Sequence, residues 1–505
     1  MASTPAGEPS IPAYDAITSD GVSKKQKMKG KKKSMDPSKL TPEYIEEQRR
    51  LRNIKKEQKK QQLIAQGYNP EQLETNEALR YKTREFVSVG SNSEVGENFK
   101  VKIMTYNILA QALIRRKLFP TSGNALKWST RSQVLLSEMK HYDADILCLQ
   151  ELDFIQYNSF WKQELSNLGY NSKFNRGGSK NHGVCIFFKN DIFVFKHQSF
   201  IDYDREESGT IFPRTITQNV GLLACLEFTP KIRSQYKLSR NGIIIGTTHL
   251  FWHPFGTYER TRQTYLVLKK TKEFVHTMNV VKENDLGWYT FFAGDFNSQP
   301  FDTPYLSVTS KPVHYSSRAK TVISCSLSFQ YSKNRGIKES EAEKNSEDEE
   351  EGGNIEKFGK DQPRDPVPES FVATEEQLQL VNAMENLHNN LDVRAISLYS
   401  VAYKHVDPKN AGADNERNEP MYSNWAHSWR GLLDYIFVIS SWDLSEDYSK
   451  KIDSIDELAN TENIRLTKLL RLPRGEEMGE EPSGQPRLGQ YPSDHFCLMA
   501  EVELL

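Results

Sequence analysis

The sequence predicts an α/β fold built as a layered sandwich, and three observations carry that prediction. From about residue 99, short apolar runs rich in β-branched residues recur at 101–108, 146–149, 184–188, 220–228, 243–250, 289–292, 435–439 and 496–502. Helical spacing of apolar residues fills several of the gaps, at 129–141, 157–168, 257–280 and 374–387. The strand runs are almost continuously apolar, as strands covered on both faces must be. Neighbouring runs such as 184–189 and 192–196 lie close enough to form hairpins, which favours mixed sheets over one purely parallel sheet.

In chain order, residues 1–40 are rich in Ser, Pro and Lys and poor in large apolar groups, so a disordered basic tail is expected there. Thr41 and Pro42 form a good helix start, and a charged helix followed by a linker is expected over 41–98. The rest, 99–505, reads as one catalytic domain interrupted at about 331–369 by a charged, Gly- and Pro-containing insertion, expected to be a disordered acidic surface loop. The formal net charge of −1 conceals this segregation: Lys24 to Gln62 holds 15 Lys/Arg against 5 Asp/Glu, and Lys338 to Glu351 holds 8 acidic residues against 2 basic ones. No broad basic face shows in the composition, so a nucleic-acid partner must be gripped locally. The lysines between Lys24 and Lys33 suit sequence-independent contact with phosphate backbones, or a nuclear or nucleolar address.

Five cysteines form no CxxC pair, which points to a reducing compartment, and a cytoplasmic location is expected, with a nuclear or nucleolar one as the alternative. No apolar run approaches the ~20 residues of a membrane span, so no membrane partner is expected. The acidic residues Glu8, Asp15 and Asp20, with no Lys or Arg before them, fit neither a secretory nor a mitochondrial leader.

Polar signatures end five of the apolar runs: Tyr106-Asn107, Leu149-Gln150-Glu151, Thr248-His249-Leu250, Gly294-Asp295-Phe296-Asn297 and Ser493-Asp494-His495. Glu151 can ligate a hard cation through oxygen, and Asn107 can orient a metal-bound water or a phosphate oxygen. Asp295 and Asn297, two apart on an extended segment, point the same way and can hold an attacking water. A carboxylate behind His495, with Asp434 as candidate, would fix its tautomer and favour its charged form, and His249 can supply a second donor to the same phosphate.

This ordered series resembles the endonuclease/exonuclease/phosphatase superfamily. The stretches Ser423-Asn424-Trp425, Trp429 to Ile436 and Tyr491 to His495 bring it nearer the carbon-catabolite-repressor, nocturnin and Angel branch of 3′ exonucleases, and the Lys-rich head with its charged helix is similar to fungal Ngl-type members. The resemblance implies a DNase-I-like four-layer α/β sandwich, two packed mixed sheets flanked by helices. It implies Mg²⁺ as cofactor, with Mn²⁺ able to substitute, held principally by Glu151 with Asn107 and Asp494 near the metal. His249, Asp295, Asn297, Asp434 and His495 take the catalytic positions. Pro254 and Trp429 fall where deadenylases sandwich an adenine.

The implied activity is Mg²⁺-dependent 3′→5′ hydrolysis of RNA to 5′-nucleotides, with poly(A) or A-rich 3′ ends as substrate. A nocturnin-type phosphoesterase acting on a dinucleotide such as NADPH is the alternative. Three positions depart from the pattern. Leu109 stands where abasic-site endonucleases carry a carboxylate, His182 precedes Gly183-Val184 where many relatives read Asp-Gly-Cys, and Thr247 replaces the commoner Asn before Thr248-His249. No leucine-rich repeat of the kind that recruits some deadenylases into larger complexes is present.

Overall fold

Two mixed β-sheets face each other in the computed structural model, which describes residues 42–68, 76–90, 98–116, 118–282, 286–331, 363–479 and 484–505. The expected basic tail at 1–40 and most of the expected acidic insertion, residues 332–362, lie outside the described residues. The first sheet runs β1 (Phe86–Ser88), β14 (Ile464–Leu470), β15 (Leu498–Leu504), β2 (Lys100–Asn107), β3 (Ile146–Asp153), β5 (His182–Lys189), β4 (Tyr170–Asn175). The second runs β10 (Val393–Ser397), β13 (Asp434–Ser441), β9 (Tyr289–Asp295), β8 (Gly242–His249), β7 (Val220–Phe228), β6 (Phe193–Asp202). A small hairpin, β11 (Asn424–Ala426) with β12 (Trp429–Gly431), sits apart from both.

Alternation along the strands explains the layering, because successive side chains leave opposite faces of a sheet. Ile103, Cys148 and Ile186 of the first sheet meet Ile245, Phe291, Ala293 and Ile436 of the second in one buried cluster between the sheets. The alternate residues Met104, Tyr106, Leu147 and Leu149 pack outward with Leu135 and Met139 of the helix Trp128–Tyr142. On the other side Leu223, Ile244 and Phe292 pack with Leu266, Leu268 and Phe274 of the helix Thr257–Lys282. Helix, sheet, sheet, helix is the four-layer sandwich expected from the sequence. Further helices at Thr303–Thr309, Ser317–Ser328 and Glu375–Asn389, the last closed by a Thr374/Gln377 capping box, extend the outer layer of the second sheet.

Backbone contacts divide the chain into two units, Met1–Lys59 and Lys60–Leu505. Within the stretch read as charged helix and linker, the helix spans Pro42–Ala65, and Phe86–Ser88 adds an edge strand to the first sheet by pairing with β14. Arg84, just before that strand, is buried: Nη2 lies 3.8 Å from Glu138 Oε1, and its guanidinium lies over the rings of Tyr142 and Tyr491. No helix among the described residues is long and apolar enough to cross a membrane.

Candidate active site

Each sheet contains one parallel pair, β2 with β3 and β8 with β9, so in each sheet two carboxyl ends emerge side by side. Towards that rim the residues facing the opposite sheet turn from apolar to polar: Ile103 is followed by Thr105 and Asn107, Cys148 by Gln150, Ile245 by Thr247, and Ala293 by Asp295. The register sets His249 beside Asp295 and Asp295 beside Asp434, one row across three strands. β8 and β9 approach so closely here that a side chain on Gly294 would place its Cβ 2.3 Å from the Thr248 carbonyl oxygen.

Hydrogen bonds stitch the sheets together below and at the rim. Gln150 Nε2 donates to Thr105 Oγ1 at 3.1 Å and across the interface to Thr247 Oγ1 at 3.0 Å. One layer above, Asn107 Nδ2 donates to Glu151 Oε1 and to Asp295 Oδ2, both at 2.9 Å. Glu151 sits at a break in the β3–β5 register with φ +54°, a bulge that turns its carboxylate out of the strand's alternation and into the cleft. The Ala110 amide donates to Glu151 Oε2 at 2.9 Å. Burial works against its charge, but His249 and His182 nearby, with the hydrogen bonds from Asn107 and Ala110, hold Glu151 below the usual carboxylate range.

His495 Nδ1 lies 2.7 Å from Asp434 Oδ2, which also accepts from Ser423 Oγ at 2.7 Å. Ser423 Oγ in turn accepts the amides of Leu433 and Asp434 at 3.0 Å each, so the carboxylate cannot turn away. Burial alone would strip the proton from His495; Asp434, and then Asp295, override it and hold the imidazolium well above its ordinary range. The other ring nitrogen, Nε2, faces Asp295 Oδ2 at 3.6 Å, and His249 Nε2 faces the same oxygen at 3.5 Å. Asp295 Oδ1 accepts the Asn297 amide at 2.9 Å, while Asn297 Nδ2 donates to Leu250 O at 2.9 Å. Thus Asn107, Glu151, His249, Asp295, Asn297, Asp434 and His495 form one connected cluster.

Asp494 is buried next to it; burial pushes its carboxyl up, His495 opposes this, and the charge of Glu151 adds to it. Two neighbouring carboxylates that repel one another, Asp494 buried and Glu151 partly so, suit a hard divalent cation, which takes oxygen ligands and relieves the repulsion. Asp295, Asp434 and His495 also bring three possible ligand atoms within 4.8 Å of one another. There the Nδ1 of His495 and Oδ2 of Asp434 are committed to each other, whereas Glu151, Asp494 and Asn107 offer oxygen atoms, the donors a hard cation takes. Trp429, 47% exposed, lies on the β11–β12 hairpin with its ring beside Gly431 and Gln299, and Asn424 of that hairpin bridges to His495. Pro254 is exposed in the turn that follows β8.

Sequence reasoning gave no role to three residues that position the cluster. Gln150 lay inside a quoted motif, and its signal was a polar residue at an inward-facing strand position. Ser423 likewise stood in a quoted stretch. Arg131 carried no signal: it is a fully buried charge on an otherwise amphipathic helix, donating to the carbonyls of Pro492 at 2.8 Å and Leu109 at 2.6 Å, which anchors the loops that carry Asp494 and flank Asn107.

Known proteins share this chain's fold and sequence pattern. The sequence profile of the Endonuclease/Exonuclease/phosphatase family matches residues 104–495, from the middle of β2 to His495 itself. The chain belongs to this family. Members of the family generally depend on a divalent metal, in keeping with the carboxylates gathered at this rim. The endonuclease/exonuclease/phosphatase relatives of this chain include the RNA exonuclease NGL2 of Saccharomyces cerevisiae, 51% identical over 96% of this chain and 93% of that protein. The probable RNA exonuclease NGL3 of the same yeast is 38% identical over 92% of this chain and 90% of its own length. In fold, the chain is similar to ANGEL2, a 2′,3′-cyclic phosphatase, with a TM-score of 0.51 and 20% identity over 84% of this chain and 99% of that one.

Proposed function

We propose that this chain is a Mg²⁺-dependent 3′→5′ exoribonuclease that releases 5′-nucleotides and prefers A-rich 3′ ends. The observation that carries the reading is the meeting, at one rim, of a charged His495–Asp434 pair, a bridged Asp295 and a bulge-borne Glu151. It is supported by similarity over nearly the full length to proteins named as RNA exonucleases.

Asp295, oriented by the Asn297 amide and Asn107, accepts a proton from the attacking water. The water oxygen bonds to phosphorus as the bond to the 3′-oxygen on the opposite side breaks. His495, kept charged by Asp434, and His249 donate hydrogen bonds to the phosphate oxygens, whose negative charge grows in the transition state. Glu151, with Asn107 and Asp494, would hold a divalent ion, which when bound would supply Lewis-acid stabilisation of that charge. Trp429 stacks on the terminal base with Pro254 on its other side; stacking contributes roughly 1–3 kcal/mol per base.

Offering the purified protein labelled poly(A), mixed-sequence RNA, single-stranded DNA and NADPH with Mg²⁺ tests the substrate class. Shortening of RNA from its 3′ end, fastest on poly(A), is expected. Phosphate release from NADPH with intact RNA would replace this reading by a dinucleotide phosphoesterase.

A further inference from the structure

Past Glu151 the chain enters a basic and aromatic strip that catalysis does not use. Three residues after Glu151 the chain leaves β3 through Phe154 and Ile155, 39% and 74% exposed. Arg176, itself exposed, lays its guanidinium over the Phe154 ring, with Cζ 4.1 Å from the ring centroid, and Nη1 donates to the Lys180 carbonyl at 3.2 Å. Phe174 lies 5.9 Å from Phe154 and stacks on Tyr157 at 4.7 Å with 16° between the planes.

The strip is fixed in place and tied to the catalytic rim. Its loop seats so tightly that a Cβ on Gly177 would lie 1.9 Å from the Gln218 carbonyl oxygen, and the Ser179 amide donates to Gln218 Oε1 at 3.2 Å. The Phe154 amide donates to Asn181 O at 2.8 Å, next to His182, whose ring centroid lies 6.4 Å from that of His249. Asp153, next to Phe154, accepts the amides of Gln111 and Ala112 at 2.6 and 3.2 Å, which ties the strip to the segment that follows β2. Strand order places β5 and β4 outside β3, away from β2 and β15. The Trp429 hairpin attaches instead beside His495, just before β15. Strip and tryptophan therefore lie towards opposite ends of the cleft.

We propose that Arg176 and Phe154 form a second nucleotide subsite, which holds single-stranded RNA on the 5′ side of the scissile phosphate while Trp429 takes the terminal base. This rests on the exoribonuclease reading. A guanidinium backed by an aromatic ring offers a base a flat stacking surface and offers phosphate a two-pronged donor, and single-stranded nucleic acids are gripped by that alternation of ring and positive charge. The platform is preformed, so little side-chain freedom is lost when RNA binds.

The test is the length dependence of KM for oligoadenylates of two, four and ten nucleotides, with wild type and with a Phe154→Ala/Arg176→Ala double variant whose melting temperature is checked. For wild type, KM is expected to fall about tenfold between two and ten nucleotides, and in the double variant that dependence disappears. Arg176→Lys, which keeps the charge but not the plane, is expected to lose most of it. A double variant with the wild-type length dependence, or a wild type with none, would overturn the subsite while leaving the exoribonuclease reading intact. A wild type that cleaves none of these RNAs would overturn that reading and the subsite with it.

Discussion

His495 is the residue on which the proposed chemistry turns, and its state is set by neighbours rather than by itself. Asp434 reaches it at 2.7 Å, and Ser423 holds Asp434 by two hydrogen bonds while accepting a third from the Leu433 amide. Asp434→Asn keeps the shape but removes the charge that holds the imidazolium. It is expected to lower kcat by about 10²–10³-fold with little change in melting temperature, measured by single-turnover cleavage and calorimetry. An undiminished rate would mean that His495 acts without its carboxylate. The residues named from sequence for this site, Asn107, Glu151, His249, Asp295, Asn297, Asp434 and His495, come together because each sits at a strand end, where a polar side chain is conspicuous against an apolar run. What held them, Gln150, Ser423 and Arg131, was far less legible: a buried polar group that satisfies its neighbours looks, in one sequence, like any other Ser, Gln or Arg.

At the scale of elements, the chain between β10 and β13 supports the site from outside. Its loop buries Glu419, whose Oε1 accepts the Tyr305 hydroxyl at 2.8 Å, and burial pushes this carboxyl up to about 7. A carboxyl raised in the folded state favours folding when protonated, so its contribution is fully present below the unfolded value near 4.5 and is lost as pH rises towards 7. Urea unfolding at pH 5 and pH 8 is expected to show a stability loss that Glu419→Gln reduces by about 2–3 kcal/mol. Equal pH slopes in the two proteins would contradict the assignment. The strands followed their apolar runs closely, and Val220–Phe228 coincides with its predicted span. Missed elements were those without a strong period of their own. The helix Thr303–Thr309 is short and rich in Thr and Ser, and β14 (Ile464–Leu470) mixes Arg and Lys with its leucines because one of its faces is only partly covered.

At the scale of the whole molecule, the sandwich and its family were legible in the order and spacing of the five signatures. The place where the fold begins was harder to read. The run of apolar strands suggests a start near residue 99, yet the unit that contains the sandwich extends from Lys60, and Arg84 reaches its interior. A single buried arginine in a polar stretch has no periodicity to betray it. A chain beginning at Phe99 would leave Glu138 buried without its cationic partner, though still bonded to the Tyr106 hydroxyl at 2.9 Å, and β14 without its edge strand. Loss of one member of a buried pair costs about 3–5 kcal/mol, so that chain is expected to melt well below one beginning at Lys60, by thermal denaturation. Equal melting temperatures would show that residues 60–98 are dispensable.

The central claim is that one metal-assisted rim, built around Glu151, removes nucleotides from the 3′ end of RNA. It is tested most directly by incubating a 5′-labelled oligoribonucleotide ending in adenosines with wild type and with Glu151→Ala, each with Mg²⁺ and with excess chelator. The account predicts a ladder of 3′-shortened products and free 5′-nucleotides from wild type with Mg²⁺ alone. It predicts no shortening with chelator, and none from a Glu151→Ala protein that melts as wild type does. Shortening that survives either chelation or the loss of Glu151 would contradict it.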